Sequence, residues 1–353
     1  MTALKLGSLF DGIGVFPLAA VHCGMEPVWA SEIEARPISI TKRHFPDMLH
    51  LGDITKISGA EIPPVDVSTF GSPCQDLSQI GTRNGFAGKK SSLFYQAMRI
   101  IEEMRYATNG RYPAFCIWEN VAGAFSSNVR LDFAAMLRAF TGAEVSVPSR
   151  GWAHAEMVRG GRADTAWRLL DAQYWGEPSL VQRRKRVFVV ADFAGQRAGE
   201  VLFKPRTVLP FSAIGGPGGL SATAGSGVPA AQTGRQVPIV RPFSLRRMRT
   251  MAQVGDQKGF CASFGRGGEP FPTLLASVTA PFSFWYEGEE SDGFLRVLTP
   301  LGCERLMGLP ENWTKYGCKN EEISDHARYR ALGNSIALPC AEYVMAGIAE
   351  VMN

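Results

Sequence analysis

The sequence predicts an α/β protein with a doubly wound, mostly parallel sheet and a second, smaller domain. Short apolar runs of strand length alternate with segments of helical periodicity through the first two hundred residues. A chain of 353 residues is longer than one minimal domain needs, and its 45% hydrophobic content is sufficient for a large core. Since no run of eighteen apolar residues occurs, we expect no membrane helix, and a cytoplasmic protein.

The strands and helices are expected to alternate in chain order. Strand-like runs lie at residues 4–10, 26–31, 65–70, 115–118 and 187–191. Helical patterns lie at residues 16–23, 36–44 and 92–105, and the last third from residue 298 again looks helical. The carboxyl ends of parallel strands meet at one edge of the sheet, so we expect the functional residues there.

The positive charge is concentrated in one part of the sequence. The whole chain carries a net charge of +4, whereas residues 195–275 hold ten Lys and Arg against three acids, a net charge of +7. This segment includes a stretch rich in Gly, Ser, Ala and Pro at residues 214–234, which we expect to form a loop or insertion. A basic segment on a near-neutral body indicates a polyanionic partner, although a solvated basic surface would look the same.

The seven cysteines are scattered and odd in number, and none form a Cys-x-x-Cys pair. We therefore expect reduced thiols, with no disulfide framework and no metal site.

A glycine-rich turn follows the first predicted strand, at Phe10, Asp11, Gly12 and Gly14. A strand that enters a helix through such a turn suits a nucleotide-like ligand, because backbone N–H groups can approach it closely. The third glycine of a dinucleotide fingerprint is replaced by Pro17, which disfavours a nicotinamide oxidoreductase. A plain structural turn is the alternative.

Acidic residues follow two further strands. Glu32 comes after the second strand, where an acid commonly accepts hydrogen bonds from ribose hydroxyls. Asp53, followed by Ile54, is placed to meet an adenine amino group. The alternative for each acid is a helix cap or a surface position.

Cys74 lies in a turn shaped by Gly71 and Pro73, just after the strand at 65–70. This places a thiol at the ligand-binding edge of the sheet, and its thiolate would be a nucleophile. A lone cysteine is otherwise an inert small hydrophobe, but the polar neighbours Gln75 and Asp76 argue against a core position. Residues 79–90 are polar and basic and are typical of a mobile loop that closes over a substrate.

Further charged groups stand at the ends of other strands. Glu119 and Asn120 follow the run at 115–118, so that Glu119 could face Cys74 across a cleft. Gln182 precedes a run of four cations at residues 183–186. The alternation of side chains along a strand directs Arg184 and Arg186 to one side.

Taken together, these motifs resemble the cytosine-C5 DNA methyltransferase family, of the bacterial or phage restriction-modification type. The resemblance covers nearly the whole chain and rests on an ordered series: FDGIG (10–14), SEIE (31–34), GDIT (52–55), GSPCQDLS (71–78), ENV (119–121), QRRKR (182–186), RVLTPLGCERLMGLPENW (296–313) and RALGNSIALP (330–339). It implies a Rossmann-like catalytic and cofactor-binding domain at residues 1–194 plus 328–353. A target-recognition domain at 195–295 and a hinge or support segment at 296–327 complete the predicted organisation.

The resemblance implies methyl transfer from S-adenosylmethionine to C5 of a flipped-out cytosine in duplex DNA. Cys74 would attack C6, Glu119 would serve N3, and Arg186 would contact O2 with Arg184 nearby. The implied cofactor residues are Phe10, Asp11, Gly12, Gly14, Glu32, Ile33, Asp53, Ile54, Pro73, Asn334 and Ser335. Asn334 and Ser335 are expected to open the last helix, which packs beside the first.

The implied DNA-binding residues are Gln75, Ser78, Ile80, Asn120, Gln182, Arg246, Arg247, Arg249 and Arg266. Ile80 or a neighbour would fill the space that the flipped base leaves. The implied partners are double-stranded DNA and a cognate restriction endonuclease, with no membrane and no metal, and the protein is expected to be a monomer.

Three departures from the family pattern stand out. Ile33 occupies a position where many members carry an aromatic residue that stacks on adenine, and the segment 176–182 is longer than usual before the arginines. Val15 stands where a third glycine is frequent. Two alternatives stay open: an RNA cytosine-C5 methyltransferase on the same scaffold, and a non-catalytic DNA-binding relative.

Overall fold

An eight-stranded mixed sheet forms the centre of the protein in this computed structural model. The structure describes residues 2–72, 93–177, 179–180, 182–204, 239–242, 273–274, 283–287 and 294–353. The strands of the large sheet are β1 (Lys5–Leu9), β2 (Glu26–Ser31), β3 (Leu49–His50), β4 (Val67–Phe70), β5 (Phe115–Val121), β6 (Ala155–Arg159), β7 (Asp164–Asp171) and β8 (Lys185–Asp192). Their spatial order is β3-β2-β1-β4-β5-β8-β7-β6.

The first five strands are parallel, and the other three pair antiparallel. A smaller antiparallel sheet consists of β9 (Ile239–Pro242), β10 (Ser283–Glu287) and β11 (Phe294–Val297), in the order β11-β10-β9. The helices are α1 (Val15–His22), α2 (Ala35–His44), α3 (Leu93–Ala107), α4 (Leu131–Thr141), α5 (Ala198–Leu202), α6 (Pro300–Leu306), α7 (Asp325–Asn334) and α8 (Leu338–Met352).

Apolar side chains cover both faces of the large sheet, so it is doubly wound as predicted. In β5, Phe115 and Ile117 point into the core beneath α1 and α8, whereas Cys116 and Trp118 point into the core beneath α3 and α4. This alternation is the two-residue repeat of a strand that is buried on both faces. The carboxyl ends of β1, β2, β4 and β5 are consequently left at an open edge.

Most of the predicted elements are confirmed, within a few residues at their ends. The strand predicted at 115–118 continues to Val121, so Glu119 and Asn120 lie within β5. Three strands of the large sheet (β3, β6 and β7), the strands of the small sheet and helices α4 and α5 were not predicted. β6 alternates poorly because most of its residues are at least partly exposed at the sheet edge.

The last helix packs against the first, as the resemblance implied. At this contact His22 Nδ1 lies 2.5 Å from a Glu342 carboxylate oxygen. The prediction that Asn334 and Ser335 open the last helix is wrong: Asn334 ends α7, Ser335 caps it, and the last helix begins at Leu338. Pro339 near the start of α8 supplies the fixed φ angle that helix starts favour.

Residues 195–204 pack on the large sheet, although the sequence analysis assigned them to the recognition domain. Helix α5 contacts β7 and α8. Arg197 forms a 2.8 Å ion pair with Asp192 at the end of β8, and the Lys204 ammonium pairs with Glu350. The unit built on the large sheet therefore extends to at least Lys204.

The segment that leads from β11 to α7 contains a buried ion pair. Glu304 is fully buried and accepts hydrogen bonds from Arg328 Nη2 at 3.0 Å and from the backbone N–H groups of Asn312 and Thr314. Because both charges are compensated in this way, burial of the pair is tolerated.

Within the described part of the chain, no single helix is long and apolar enough to span a membrane. Helices α7 and α8 meet that length and composition only as a pair bent by 43°.

Candidate active site

The turn after β1 lies at the carboxyl end of that strand. Phe10, Gly12 and Gly14 all adopt positive φ angles, of 55°, 61° and 78°. A Cβ atom built on Gly12 would meet nothing within 4 Å, whereas one on Gly14 would touch the Phe45 ring at 3.1 Å. Gly14 therefore serves packing, and Gly12 leaves room for a ligand beside the backbone.

Glu32 connects this turn to the end of β2. Its Oε2 accepts a 3.0 Å hydrogen bond from the Gly12 backbone N–H, and its Oε1 accepts hydrogen bonds from the N–H groups of Ile33 and Glu34. The Ile33 side chain next to it is 72% exposed. A fixed carboxylate beside an uncovered apolar side chain suits the ribose and base of a nucleoside.

Asp11 is a buried acid whose side chain has no hydrogen-bond partner among the described residues. It is only 9% exposed, and neither carboxyl oxygen is paired. Burial, and to a lesser extent the charge of Glu32, raise the pKa of Asp11 to about 7, although the nearby hydroxyls of Ser8 and Thr41 oppose the shift. An orphaned buried carboxyl in a cofactor turn fits a ligand that brings a positive charge.

Asp53 caps the short 3-10 helix Ile54–Lys56. Its Oδ1 accepts hydrogen bonds from the Thr55 backbone N–H at 2.9 Å and from the Thr55 hydroxyl at 2.8 Å. These bonds lower the pKa of Asp53. Ile54 is buried. The cap that the sequence left as an alternative is therefore present, and the second carboxylate oxygen has no hydrogen bond to Thr55.

The chain that leads to Cys74 is fixed against β5. Ser72 accepts a 3.0 Å hydrogen bond on its hydroxyl from the Trp118 indole, and another on its backbone carbonyl from the Asn120 amide. A Cβ atom on Gly71 would lie 3.2 Å from Glu119 Oε2, so the residue at 71 must be small. Asn120 is thus occupied in holding this segment, since its Oδ1 also accepts from Val121 N–H.

Glu119 and Arg186 form an ion pair between neighbouring strands. Arg186 Nε lies 3.0 Å from Glu119 Oε1, and both side chains are largely buried. Burial raises the pKa of Glu119, while the charges of Arg186 and then of Arg184 oppose that shift. A carboxyl that is both desolvated and paired with a cation is typical of acid–base sites.

Arg184 is fully buried, and both terminal nitrogens of its guanidinium donate to backbone carbonyls, whereas its Nε has no hydrogen-bond partner among the described residues. Nη1 donates to the Leu274 carbonyl at 3.0 Å, and Nη2 donates to the carbonyls of Gly333 and Ser335. Its own backbone N–H donates to Asp171. Arg184 therefore joins the start of β8 to the end of α7 and to Leu274, which lies between β9 and β10 in the sequence.

Gln182 is also fully buried, and among the described residues its amide group has no hydrogen-bond partner. The predicted residues that lie outside the described part of the chain are Pro73, Cys74, Gln75, Ser78, Ile80, Arg246, Arg247, Arg249 and Arg266. Asn334 is exposed and Ser335 partly buried, at the junction that Arg184 holds.

The sequence analysis missed two residues that support the cofactor turn. Trp313 is 5% exposed and donates a 2.8 Å hydrogen bond from its indole to the Ile13 carbonyl. The ring of His44 stacks on Trp313 at 3.6 Å between centroids, with its Nε2 2.8 Å from the Trp313 carbonyl oxygen. The available sequence signal for this contact was Trp313 itself, which ends the motif at residues 296–313.

Comparison with known proteins shows the family of this chain. The model of the family described as C-5 cytosine-specific DNA methylase matches residues 4–203. A protein of Escherichia phage P1, named a DNA N-6-adenine-methyltransferase, is 24% identical across 98% of this chain, which spans 61% of that protein's length. The Type II methyltransferase M1.ScrFI of Lactococcus lactis subsp. cremoris is 26% identical, with 99% of this chain and 78% of the relative covered.

A likeness of fold extends to solved structures. A candidate DNA modification methyltransferase of an Escherichia coli prophage has a TM-score of 0.60 with 18% sequence identity, covering 99% of this chain and 100% of the other. Because the family model matches more than half of the chain, this chain belongs to the C-5 cytosine-specific DNA methylase family and is a DNA cytosine-5-methyltransferase.

Proposed function

We propose that this enzyme transfers a methyl group from S-adenosylmethionine to C5 of a cytosine flipped out of a specific duplex DNA sequence, through a covalent bond between Cys74 and C6. The observation that carries this proposal is the pairing of Glu119 with Arg186 directly beside Gly71 and Ser72, the residues that lead to Cys74. Covalent geometry limits Cys74 to about 8 Å from Ser72, measured between Cα atoms.

The described cofactor residues fit S-adenosylmethionine, which supplies an electrophilic methyl group when it is bound. The orphaned Asp11 carboxyl matches a cationic ligand, and Glu32 is fixed where ribose hydroxyls would bind. The open space beside Gly12 admits the ligand, and the exposed Ile33 offers an apolar surface to adenine in place of an aromatic ring. Asp53 and Ile54 complete the adenine side, and Asn334 and Ser335 the far wall.

The reaction begins with attack of the Cys74 thiolate on C6. As the sulfur–carbon bond forms, the C5–C6 π electrons shift toward N3 and O2, Glu119 gives its proton to N3, and Arg186 stabilises the charge on O2. C5 is then nucleophilic and takes the methyl group. Loss of the C5 proton to water, return of the N3 proton to Glu119 and cleavage of the sulfur–carbon bond regenerate the thiolate and release 5-methylcytosine.

DNA has to be unstacked locally for this chemistry, because C6 is inaccessible inside a duplex. In this proposal Gln75, Ser78 and Ile80 act from the loop after Cys74, and Gln182 contacts the target base. The basic segment 205–295, with Arg246, Arg247, Arg249 and Arg266, reads the sequence, and 296–327 supports it against the catalytic unit of 1–204 plus 328–353. Residues 205–275 hold eight Lys and Arg against two acids, a net charge of +6, which supports phosphate contacts there.

Covalent trapping tests the proposal. A duplex with 5-fluorocytosine at the target keeps the enzyme covalently bound. Fluorine takes the place of the C5 proton, and without loss of that proton the sulfur–carbon bond cannot be cleaved. We expect an adduct with the native protein and with Cys318→Ser, which removes an exposed free thiol, but none with Cys74→Ser. An adduct with Cys74→Ser, or none with the native protein, would overturn the nucleophile assignment.

The trapping duplex requires the recognition sequence, so methylated DNA from expressing cells is sequenced first. Nucleoside analysis of that DNA separates 5-methylcytosine from N6-methyladenine, which the name of the phage P1 relative makes a necessary control. Methylation of tRNA in parallel tests the RNA alternative. A cognate endonuclease would cut the same sequence when it is unmethylated.

A further inference from the structure

Beyond the Glu119 end of β5 lies a short backbone ridge, residues 128–130, in which three consecutive residues other than glycine have left-handed conformations. The φ angles of Asn128, Val129 and Arg130 are 45°, 54° and 72°. Asn tolerates this region of φ and ψ, but for a β-branched residue such as Val it is a strained outlier. Strain of this kind persists only where the surroundings impose it, and it clusters at functional sites.

A buried acid imposes the conformation. Asp132 is fully buried and accepts hydrogen bonds from the Ser127 hydroxyl at 2.5 Å and from the Asn128 amide at 3.0 Å. The Trp152 indole donates to the Arg130 carbonyl at 3.1 Å. The ridge is thus held at both ends, and its shape does not depend on the side chain of Val129.

The ridge presents an apolar side chain to solvent beside unpaired cations. Val129 is 83% exposed and Leu131 is 47% exposed. Arg130 lies against Gly151 and donates a 3.4 Å hydrogen bond to the Ser149 carbonyl. Arg150 in the same turn is exposed. Neither arginine pairs with a carboxylate of the described residues.

The ridge follows the carboxyl end of β5, the end of the strand at which Glu119 and Arg186 pair. Val121 at the end of β5 is the strand partner of Arg186, and the 3-10 helix Ala122–Phe125 that follows packs against β8. Asn128 is seven residues from Val121, so covalent geometry keeps the start of the ridge within roughly 25 Å of the end of β5.

We propose that the ridge of residues 128–130 is a duplex-DNA contact, in which Val129 packs against the sugar and base edges flanking the flipped cytosine and Arg130 binds a phosphate. Apolar wedges flanked by arginine are a recurrent means of gripping a distorted duplex. The inference rests on the proposed function, because its ligand is the DNA on which Glu119 and Arg186 act.

Val129→Gly gives a test that separates binding from folding. Glycine adopts a φ of 54° without strain, so we expect the variant to melt about 2 °C higher than the native protein. Duplex affinity should nonetheless fall at least three-fold, while affinity for S-adenosylhomocysteine stays the same. Asn109→Gly is the matched control: φ there is 51°, but the residue precedes β5 and lies near the opposite edge of the sheet.

Arg130→Gln tests the cation without altering the backbone. A plot of log affinity against log salt concentration should become less steep by about 0.9, which is the contribution of one phosphate contact. Duplex affinity within two-fold of the native value in Val129→Gly, together with an unchanged salt slope in Arg130→Gln, would overturn the inference. Failure of the proposed function is distinct, since the native protein would then form no adduct with the 5-fluorocytosine duplex.

Discussion

The Trp313 indole donates a 2.8 Å hydrogen bond to the backbone carbonyl of Ile13, in the middle of the cofactor turn. The contact joins the segment before α7 to the turn after β1, and the stacked His44 ring holds the indole in place. The Asp11 and Gly12 N–H groups bond to Ser31 and Glu32, and Trp313 adds a third anchor from far along the chain. Trp313 is therefore a positioning residue for the turn at which we propose that the cofactor binds.

Trp313→Phe should weaken cofactor binding more than it slows methyl transfer. The variant keeps an aromatic ring but loses the indole N–H. Loss of that hydrogen bond costs about 1 kcal/mol in stability. We expect the Kd for S-adenosylhomocysteine to rise several-fold by titration calorimetry, with kcat at saturating cofactor little changed. Trp167→Phe is the matched control, because its buried indole also donates to a carbonyl, that of Ala153, away from the turn. Equal effects of both variants on cofactor affinity would contradict the positioning role.

Asp11 predicts a dependence of stability on pH in the cofactor-free protein. Its folded pKa of about 7 lies above the ordinary 3.8, so the folded state holds a proton that the unfolded state releases. The stabilisation is fully present below pH 4 and is lost as the pH rises through 7, by about 4 kcal/mol in total. The free energy of unfolding of the native protein, measured with urea, should fall between pH 5 and pH 8 relative to that of Asp11→Asn.

The same variant reports on the ligand. Asn cannot carry the negative charge that a cationic cofactor would meet, so Asp11→Asn should bind S-adenosylmethionine more weakly at pH 8 than the native protein does. If the two proteins unfold in parallel at both pH values, the carboxyl is not buried in the free protein.

The sequence predicted the parts of this molecule that local patterns encode. The strands that end at Leu9, Ser31 and Phe70 were found because each is a short apolar run followed by a turn or an acid. Strand β6 was not found, because an exposed edge strand does not show the alternation of a half-buried one. Helix α4 was also missed, although it is amphipathic, so a local signal was available there.

Long-range contacts were beyond the reach of sequence patterns. The motif order placed Glu119 and Arg186 in one site, and the structure brings them together at 3.0 Å. The motif order also placed Arg184 beside them as a catalytic cation. It gave no indication that the terminal nitrogens of Arg184 donate to the carbonyls of residues 274, 333 and 335. Such partners lie about 90 to 150 residues away, and no periodicity records them.

Arg184 should consequently matter for folding rather than for charge stabilisation alone. Arg184→Lys keeps the charge but cannot reach all three carbonyls, so buried acceptors lose their donors. We expect a loss of at least about 3 kcal/mol in the free energy of unfolding, measured by chemical denaturation. Arg183→Lys is the control next to it, since that side chain is exposed and should change stability by less than about 0.5 kcal/mol. A stable Arg184→Lys protein would show that the carbonyls find other donors.

Glu119→Gln should distinguish the role of Glu119 as a proton donor from its role in the structure. Gln is nearly isosteric and can still accept a hydrogen bond from Arg186, so the fold and cofactor affinity should be preserved. Because an amide cannot supply a proton to N3, methyl transfer in a single turnover should slow at least about 100-fold. Glu103→Gln is the matched control, since Glu103 also pairs with an arginine, Arg99, at 2.8 Å but lies on α3. A rate for Glu119→Gln within ten-fold of the native enzyme would mean that solvent, and not Glu119, protonates the ring.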